Sequence, residues 1–505
     1  MADIKEIFSL LSNPTDKDKE LIRKAYNFAV IAHTGHERKN GEPYLNHLFA
    51  TAQTLAELGM GPITISAGLL HDAIEDTNVK PEDIEKEFGK EILFLVEGVT
   101  KLGHIKYHKS SRHNESLRKL FVAMSQDIRV LIIKLCDRLH NMRTLEHVDK
   151  EKQLRIATET LEIYAPIAYR LGIKKLQREL EDLAFSYVYP EDFKKVKKLS
   201  KIKRVEQEAH LNKFKKSLKK ELAKNGITQF HTDNRVKGLY SLCKKLKRKE
   251  MDIEKVYDVL ALRVIVPTVS DCYKVLGIIH GAWRPLPGRI KDYIAFPKTN
   301  GYQSIHTTIF TGDGGIIEIQ IKTDQMYRES EYGIASHVGY KWKQANAQKK
   351  LNPDLLWVNK LIPLNKHWED TGVQKKSLNM DDVPGWIKDL VAYQKEAGDG
   401  FMDDIKQDFL DERIFVFTPK GDVIDLPKNS SVIDFAFNIH SDIGEHMSGA
   451  KVNGKFVSIN TTLHNGDRVE IETKKSAKPS YKWLEFCKTT MARRHISHYI
   501  ESKTK

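Results

Sequence analysis

The sequence predicts a multidomain protein of mixed α and α+β class: an all-α domain, then a mixed α/β domain, then a small sheet clasping one helix. Three observations carry this. The 505 residues exceed what a single core of roughly 150 residues accommodates. The apolar period is helical up to about residue 190 and gives way to short β-branched runs beyond about 225. Turn signals then crowd between 409 and 474.

Composition narrows the class further. With 40% apolar and 30% charged residues, neither a disordered nor a collagen-like chain fits. No run approaches the ~18 apolar residues of a membrane-spanning helix, so no membrane association is expected. The opening MADIKEIFSLLSNPTDKDKE turns polar too soon for a signal peptide. Cys136, Cys243, Cys272 and Cys487 are scattered without a C-x-x-C pair, which argues against disulfides or structural zinc and for a reducing cytoplasm. The net charge of +14 makes polyanions the first partner class to consider, with a merely solvated basic surface as the plain alternative.

Residues 1–190 form the first expected domain. Pro62 opens a helix that runs through His71-Asp72 to Asp76, and Asp127 caps a second with Ile128, Leu131, Ile132, Leu135, Leu139 and Met142 on one stripe. The second domain spans 191–345. It begins with a stretch, 191–220, that holds 12 Lys/Arg against four Asp/Glu and reads as a solvated charged helix joining two domains. Val256–Val266 and Gly315–Ile321 are strand candidates, and the loop Arg284–Gly301 carries three prolines and two glycines. A helical connector is expected over 346–408. In 409–474, strands flank turns at Pro419–Asp422, Asn453-Gly454 and Asn465-Gly466, and Ser431 caps a short helix. A further helical region begins within 475–505.

Two constellations carry chemistry. In the first, His47, His71, Asp72 and Asp137 supply two imidazoles and two carboxylates, a donor set suited to Mn²⁺, Fe²⁺ or Zn²⁺. Lys134 and Asn141 share a ridge with Asp137. Glu75 and Asp76 stand where a base would orient or deprotonate a metal-bound water, and Arg38 and Lys39 where cations would hold phosphates. Taken singly, His47 and His71 read better as packed core histidines and Asp137 as a solvated carboxylate; it is the set together that favours a metal site.

In the second, cations at Arg235, Lys237, Lys245, Arg289, Lys291 and Lys298 accompany carboxylates at Asp258 and Glu318 on the candidate strands. Phosphoryl-type transfer needs that combination: cations for a polyphosphate, carboxylates for Mg²⁺ and the attacking hydroxyl. Tyr302, in a polar loop, has the shape to stack on a base. The plain alternatives are a solvated Lys/Arg face, Asp258 as a turn residue and Tyr302 in the core, and residue types alone point to a nucleotide or RNA binder. No Walker A motif is present.

These residues carry a family resemblance. H-x-G-x-x-R-K-x-G-E-P-Y-x-x-H (His33–His47), H-D-x-x-E-D-T (His71–Thr77) and D-R-L-H-N-M-R-T (Asp137–Thr144) resemble the HD hydrolase domain of RelA/SpoT-homologue enzymes. R-x-K-x-x-Y-S, Y-D-x-x-A-x-R, G-R-x-K-D-Y-I-A-x-P-K-x-N-G-Y-Q-S-I-H-T-T and E-I-Q-I-x-T resemble the nucleotidyltransferase-like synthetase domain of the same family. Residues 409–474 resemble the β-grasp TGS domain. The resemblance implies a bifunctional stringent-response enzyme. It would transfer pyrophosphate from ATP to the 3′-hydroxyl of GDP or GTP, and hydrolyse ppGpp and pppGpp at that position.

By match, His47, His71, Asp72 and Asp137 would hold Mn²⁺, Glu75 and Asp76 would be the catalytic acidic pair, and Arg38 and Asn141 would contact substrate. Asp258 and Glu318 would serve Mg²⁺ and the hydroxyl. Arg235, Lys237, Ser241 and Lys245 would line the ATP side, and Lys298, Asn300, Tyr302 and His306 the guanine side. Arg289-Ile290-Lys291-Asp292 has the R-x-K-D form of bifunctional members, whereas Lys322 stands where the family often has Arg. His440 matches the TGS position that approaches the end of uncharged tRNA on the ribosome. Only about 30 residues follow the TGS-like segment, so a C-terminally short chain is expected. Opposed activities would waste ATP unless coupled, which leads us to expect a two-state signal through residues 175–235.

Overall fold

Helix follows helix in the N-terminal part, as the period requires. The computed structural model describes residues 3–103, 127–298, 301–333 and 413–504, and the chain divides into two compact units, the described residues up to 333 lying in one and 413–504 in the other. The expected connector 346–408 and Asn300 lie outside the described residues.

In the first unit, Asp127 caps the helix Ile128–Arg143, accepting from the Arg129 amide at 2.8 Å, and the predicted stripe from Ile128 to Met142 is buried. Helices Leu45–Glu57 and Pro62–Leu70 pack on it. The single helix expected from Pro62 to Asp76 is in fact two, Pro62–Leu70 and Ala73–Asp76, with His71 and Asp72 in the turn between them. The reason is geometric. On an unbroken helix successive side chains diverge by about 100°, so neighbours could not face one point; at φ −101°, ψ 0° Asp72 leaves the helix and both can.

The basic stretch belongs to a 35-residue helix, Pro190–Lys224. It is more than the solvated joint expected from its charge. Ile202 is exposed, but Leu211, Phe214, Leu218 and Leu222 recur at three- and four-residue spacing and pack on the sheet that follows. That sheet has strands β1 (His231–Val236), β2 (Leu260–Val266), β3 (Lys291–Asp292), β4 (Ile305–Phe310) and β5 (Ile316–Thr323), in the order β1-β2-β5-β4-β3, with only β2 and β5 parallel among its pairs. Asp258, expected on a strand, lies just ahead of β2.

Alternation along the strands separates two faces. Leu262, Val264, Ile305, Ile309, Ile317, Ile319 and Ile321 face the long helix and Val269–Ala282 to form the core. The opposite face is polar. Register aligns Asp233, Arg263, Gln320, His306 and Lys291 in one row across all five strands, and Arg235, Ala261, Glu318 and Thr308 in the next.

In the second unit, β6 (Arg413–Phe417) pairs with β7 (Val423–Pro427), while β8 (Met447–Val452), β9 (Lys455–Val457) and β10 (Val469–Thr473) form a second ladder in the order β10-β8-β9. The expected single sheet is thus two ladders, linked by a lone bridge between Phe417 and Arg468. Asn453 and Gly454, both at positive φ, make the tight β8–β9 turn. Ser431 and Asp434 form a capping box on the helix Val432–Ile439. Asp434 also accepts from the backbone and hydroxyl of Thr489, tying in the C-terminal segment. Among the described residues no helix is long and apolar enough to cross a membrane.

Candidate metal centre and nucleotide pocket

Three segments bring the first constellation together. His47 comes from Leu45–Glu57, His71 and Asp72 from the broken helix, and Asp137 from Ile128–Arg143. The ligand atoms of His47, His71 and Asp137, all buried, lie within 4.8 Å of one another, which no other group of three or more His, Cys, Asp or Glu does among the described residues. Asp72 adjoins this set, its Oδ2 3.0 Å from His71 Nε2 and 3.5 Å from His47 Nε2.

Hydrogen bonds behind the ligands set which nitrogen faces inward. His71 Nδ1 donates to the Gly68 carbonyl at 2.8 Å, leaving Nε2 buried and without a hydrogen bond. A buried lone pair with no proton donor is what a cation-binding nitrogen requires. His47 Nδ1 lies 2.9 Å from His140 Nδ1, which also accepts from Arg38 Nη1 at 3.2 Å. A nitrogen that accepts from Arg38 is unprotonated, so His47 donates from Nδ1 and turns its own Nε2 lone pair inward. Burial, then His47 and Arg38, lowers the His140 pKa to about 3, keeping the acceptor neutral.

Electrostatics fit a cation. Burial opposes charge on Asp137, but Lys134, 2.8 Å away, and the two histidines outweigh it and hold its pKa well below the carboxylate range. Burial likewise lowers the His71 pKa, yet Asp72 and Asp137 raise it to about 9: the centre draws positive charge. The residues present therefore fit a divalent metal ion.

The surrounding expected residues are placed as follows. The turn at Gly41, at φ +79°, folds the strand-like segment so that Arg38 and Tyr44 return toward the centre. The Tyr44 hydroxyl lies 2.9 Å from Asp72 and 2.6 Å from Asp76, its one proton shared between a ligand and one of the expected catalytic acids. Glu75 sits one residue before Asp76 in the short helix Ala73–Asp76. Arg38 Nη2 donates to Asn141 Oδ1 at 2.7 Å, and Asn141 donates to Asp137 at 2.5 Å, so both expected substrate contacts here brace the ligands. Lys39 pairs with Asp149 at the surface. Sequence reasoning passed over Tyr44 and His140, whose importance follows only from contact. Replacing His140 with alanine is expected to weaken divalent-metal binding by about 10- to 100-fold, checked by equilibrium dialysis.

The second constellation lines one cavity of about 530 Å³ on the polar face of the sheet. Arg235, Lys237, Ser241, Lys245, Asp258, Arg289, Lys291, Lys298, Tyr302, His306 and Glu318 all border it. A larger cavity of about 970 Å³ adjoins through Arg235, Lys237 and Arg263 and adds Lys197, Lys201 and Arg204.

Within the first cavity, Asp258 binds Lys237 at 2.8 Å and Lys245 at 2.7 Å. Burial works against its charge, but these two lysines hold its pKa well below the usual range. Glu318 accepts from Gln320 at 2.9 Å and stands 3.5 Å from His306 Nδ1. Tyr302, only 6% exposed, hydrogen-bonds His306 Nε2 at 2.8 Å. Burial, with Lys291, Arg235 and Lys237 nearby, pushes Lys298 down to about 8; burial and Arg263 push Lys322 down to about 7. Cations crowded in this way favour an anionic ligand. Lys322, for which the sequence suggested no role, is fully buried against Tyr302 and Ser330.

In the second unit, His440 is exposed and caps the helix Ser441–Glu445, accepting from the Asp442 amide at 3.2 Å.

Comparison with known proteins finds three family matches in chain order. An HD domain model matches residues 25–174, the model of the region found in RelA / SpoT proteins matches 234–345, and a TGS domain model matches 414–473. The chain is 43% identical, over 96% of its length and 65% of the relative's, to a guanosine-3′,5′-bis(diphosphate) 3′-pyrophosphohydrolase from Aquifex aeolicus. A GTP pyrophosphokinase from Myxococcus xanthus is 41% identical over 97% of this chain and 61% of its own length. A further guanosine-3′,5′-bis(diphosphate) 3′-pyrophosphohydrolase, from Borreliella burgdorferi, is 40% identical over 98% of this chain and 70% of its own length. The chain thus spans 61% to 70% of the length of these relatives.

Proposed function

The chain belongs to the RelA/SpoT family, and on that premise we propose that it is a bifunctional alarmone enzyme. It transfers the β,γ-pyrophosphate of ATP to the 3′-hydroxyl of GDP or GTP, releasing AMP, and hydrolyses (p)ppGpp to GDP or GTP and pyrophosphate. The observation that supports this reading is the presence of two separate clusters in one compact unit: the buried His/Asp centre and the cation-lined pocket around Asp258 and Glu318.

For hydrolysis, His47, His71, Asp72 and Asp137 would hold Mn²⁺, which supplies an acidified water and polarises the phosphoryl oxygen. Tyr44 fixes the carboxylates of Asp72 and Asp76 relative to each other. Asp76 with Glu75 then takes the proton of the attacking water. Arg38 holds Asn141 in place, and release of either side chain toward the substrate would free donors for its phosphates.

For synthesis, Arg235, Lys237, Ser241 and Lys245 hold the ATP phosphates, the adjoining cavity giving the rest of ATP room. Asp258, with Glu318, would bind Mg²⁺, which neutralises charge on the transferred group. An arriving polyphosphate draws Lys237 and Lys245 from Asp258 and frees that carboxylate. Glu318 orients the 3′-hydroxyl and accepts its proton. Lys298, His306 and Tyr302 hold the guanine nucleotide, with Tyr302 as the stacking platform. The unpaired, buried thiols of the four cysteines accord with a reducing cytoplasm. The exposed His440 supports a contact with uncharged tRNA on the ribosome.

The test is chromatography of reactions of the purified chain, with ATP, GDP and Mg²⁺ and then with ppGpp and Mn²⁺. AMP with ppGpp in the first, and GDP with pyrophosphate in the second, are expected. Tight, salt-sensitive RNA binding with no nucleotide turnover would instead make the chain a binding regulator.

A further inference from the structure

One helix touches both sites. Lys174–Val188 begins after the turn at Leu171–Ile173 and packs against the Ile128–Arg143 helix. Its Lys175 pairs at 2.7 Å with Glu57, the last residue of the helix carrying His47. Its Glu179 pairs at 2.6 Å with Arg143, the last residue of the helix carrying Asp137. Further along, Glu181 accepts from Ser241 and Lys244 at 3.2 Å each, and Asp182 from the Tyr240 amide at 2.9 Å. The ends of both metal-ligand helices therefore grip the same element that holds the ATP-side helix Leu239–Lys247.

The first residue of this helix, Lys174, reaches into the nucleotide pocket, where its Nζ lies 3.1 Å from the centroid of the Tyr302 ring. A purine stacked on that face needs the same layer of space. We propose that Lys174 is a built-in competitor for the guanine base: docked as here, the helix keeps Lys174 on Tyr302 and closes the synthetase pocket to guanine nucleotides. The inference rests on the reading of Tyr302 as the guanine platform.

Lys174 is poorly suited to stay there by its own charge. Burial, then Lys322, Lys298 and Arg235, all disfavour its ammonium form. The backbone holds it in place instead. Gly333, at φ +52°, ends the helix that follows β5 against Leu171–Ile173, so closely that a Cβ there would lie 2.3 Å from the Leu171 carbonyl oxygen and 2.7 Å from the Ile173 nitrogen. A contact held by helix docking and opposed by its own electrostatics is readily released when the docking changes. The ion pairs at Lys175 and Glu179 tie this helix to two of the helices at the metal centre.

The experiment is calorimetric titration of GDP, and separately of ATP, into the full chain and its Lys174→Ala variant. GDP should bind roughly tenfold more tightly to the variant, the factor by which a site open about a tenth of the time is weakened. ATP affinity and ppGpp hydrolysis should be unchanged, the latter also reporting an intact fold. Unchanged or weaker GDP binding with hydrolysis preserved overturns the proposal. Tyr302→Ala separates the two readings. Native-strength GDP binding by that variant removes the platform itself, whereas its loss beside an unaltered Lys174→Ala removes only the competitor. In the native chain, GDP should also raise amide exchange over residues 173–178, and no change there counts against the proposal whatever the variant does.

Discussion

Asp258→Asn is expected to abolish pyrophosphate transfer, by on the order of 10³-fold or more, and to leave (p)ppGpp hydrolysis at the native rate. Asp258 is the one carboxylate in its pocket held by two lysines at once, Lys237 at 2.8 Å and Lys245 at 2.7 Å. Asparagine keeps the shape but removes the charge. It can neither bind Mg²⁺ effectively nor hold those lysines in register until phosphate arrives. Hydrolysis is spared because its expected ligands all precede residue 144, on the helices Leu45–Glu57 and Ile128–Arg143 and in the turn between Pro62–Leu70 and Ala73–Asp76. Loss of two charge-assisted hydrogen bonds should lower folding stability by about 1–3 kcal/mol. Urea unfolding therefore accompanies the assays, to separate a chemical from a folding defect. Synthesis within tenfold of native in a folded variant would contradict the role given to Asp258.

His71→Ala is expected to do the converse: loss of the bound divalent ion and of hydrolysis by at least about 10²-fold, with synthesis retained. His71 is fully buried, and its Nε2 faces Asp72 and Asp137 with no hydrogen bond. Against the opposing effect of burial, Asp72 and Asp137 favour positive charge at this imidazole, so a cation bound at Nε2 is their counter-charge. The variant removes both the metal ligand and that counter-charge, leaving Asp137 with Lys134 as its cationic neighbour. Elemental analysis of the purified variant and a ppGpp hydrolysis assay check the outcome. A variant that retains a full complement of metal and native hydrolysis would end the assignment. Paired with Asp258→Asn, it tests whether one chain runs both reactions from separate sites.

Much of the architecture was legible in chain order because it depends on local rules. The 3.6-residue stripe from Ile128 to Met142, the Asp127 cap, the Ser431 cap and the Asn453-Gly454 turn each follow from residues within a few positions of one another, and each is present. The residue types of both sites were also legible, since His-Asp beside Glu-Asp, and cations spaced around Asp258 and Glu318, announce their chemistry by type. The long basic helix misled because composition weighs every residue equally. Its lysines dominate the count, while Leu211, Phe214, Leu218 and Leu222 decide what it packs against.

By itself, the sequence determined which elements form, which chemical groups the protein carries and to which family it is similar. Tertiary structure alone decided where those groups meet. It broke the helix at His71-Asp72 so that adjacent residues face one centre, set His140 and Tyr44 behind the ligands, and aligned Arg263, Gln320 and His306 in one row. It also carried Lys174 onto Tyr302. The physical reason is range: caps, turns and periods are fixed by interactions between near neighbours in the chain, whereas burial, tautomer and convergence depend on which distant surfaces exclude water together.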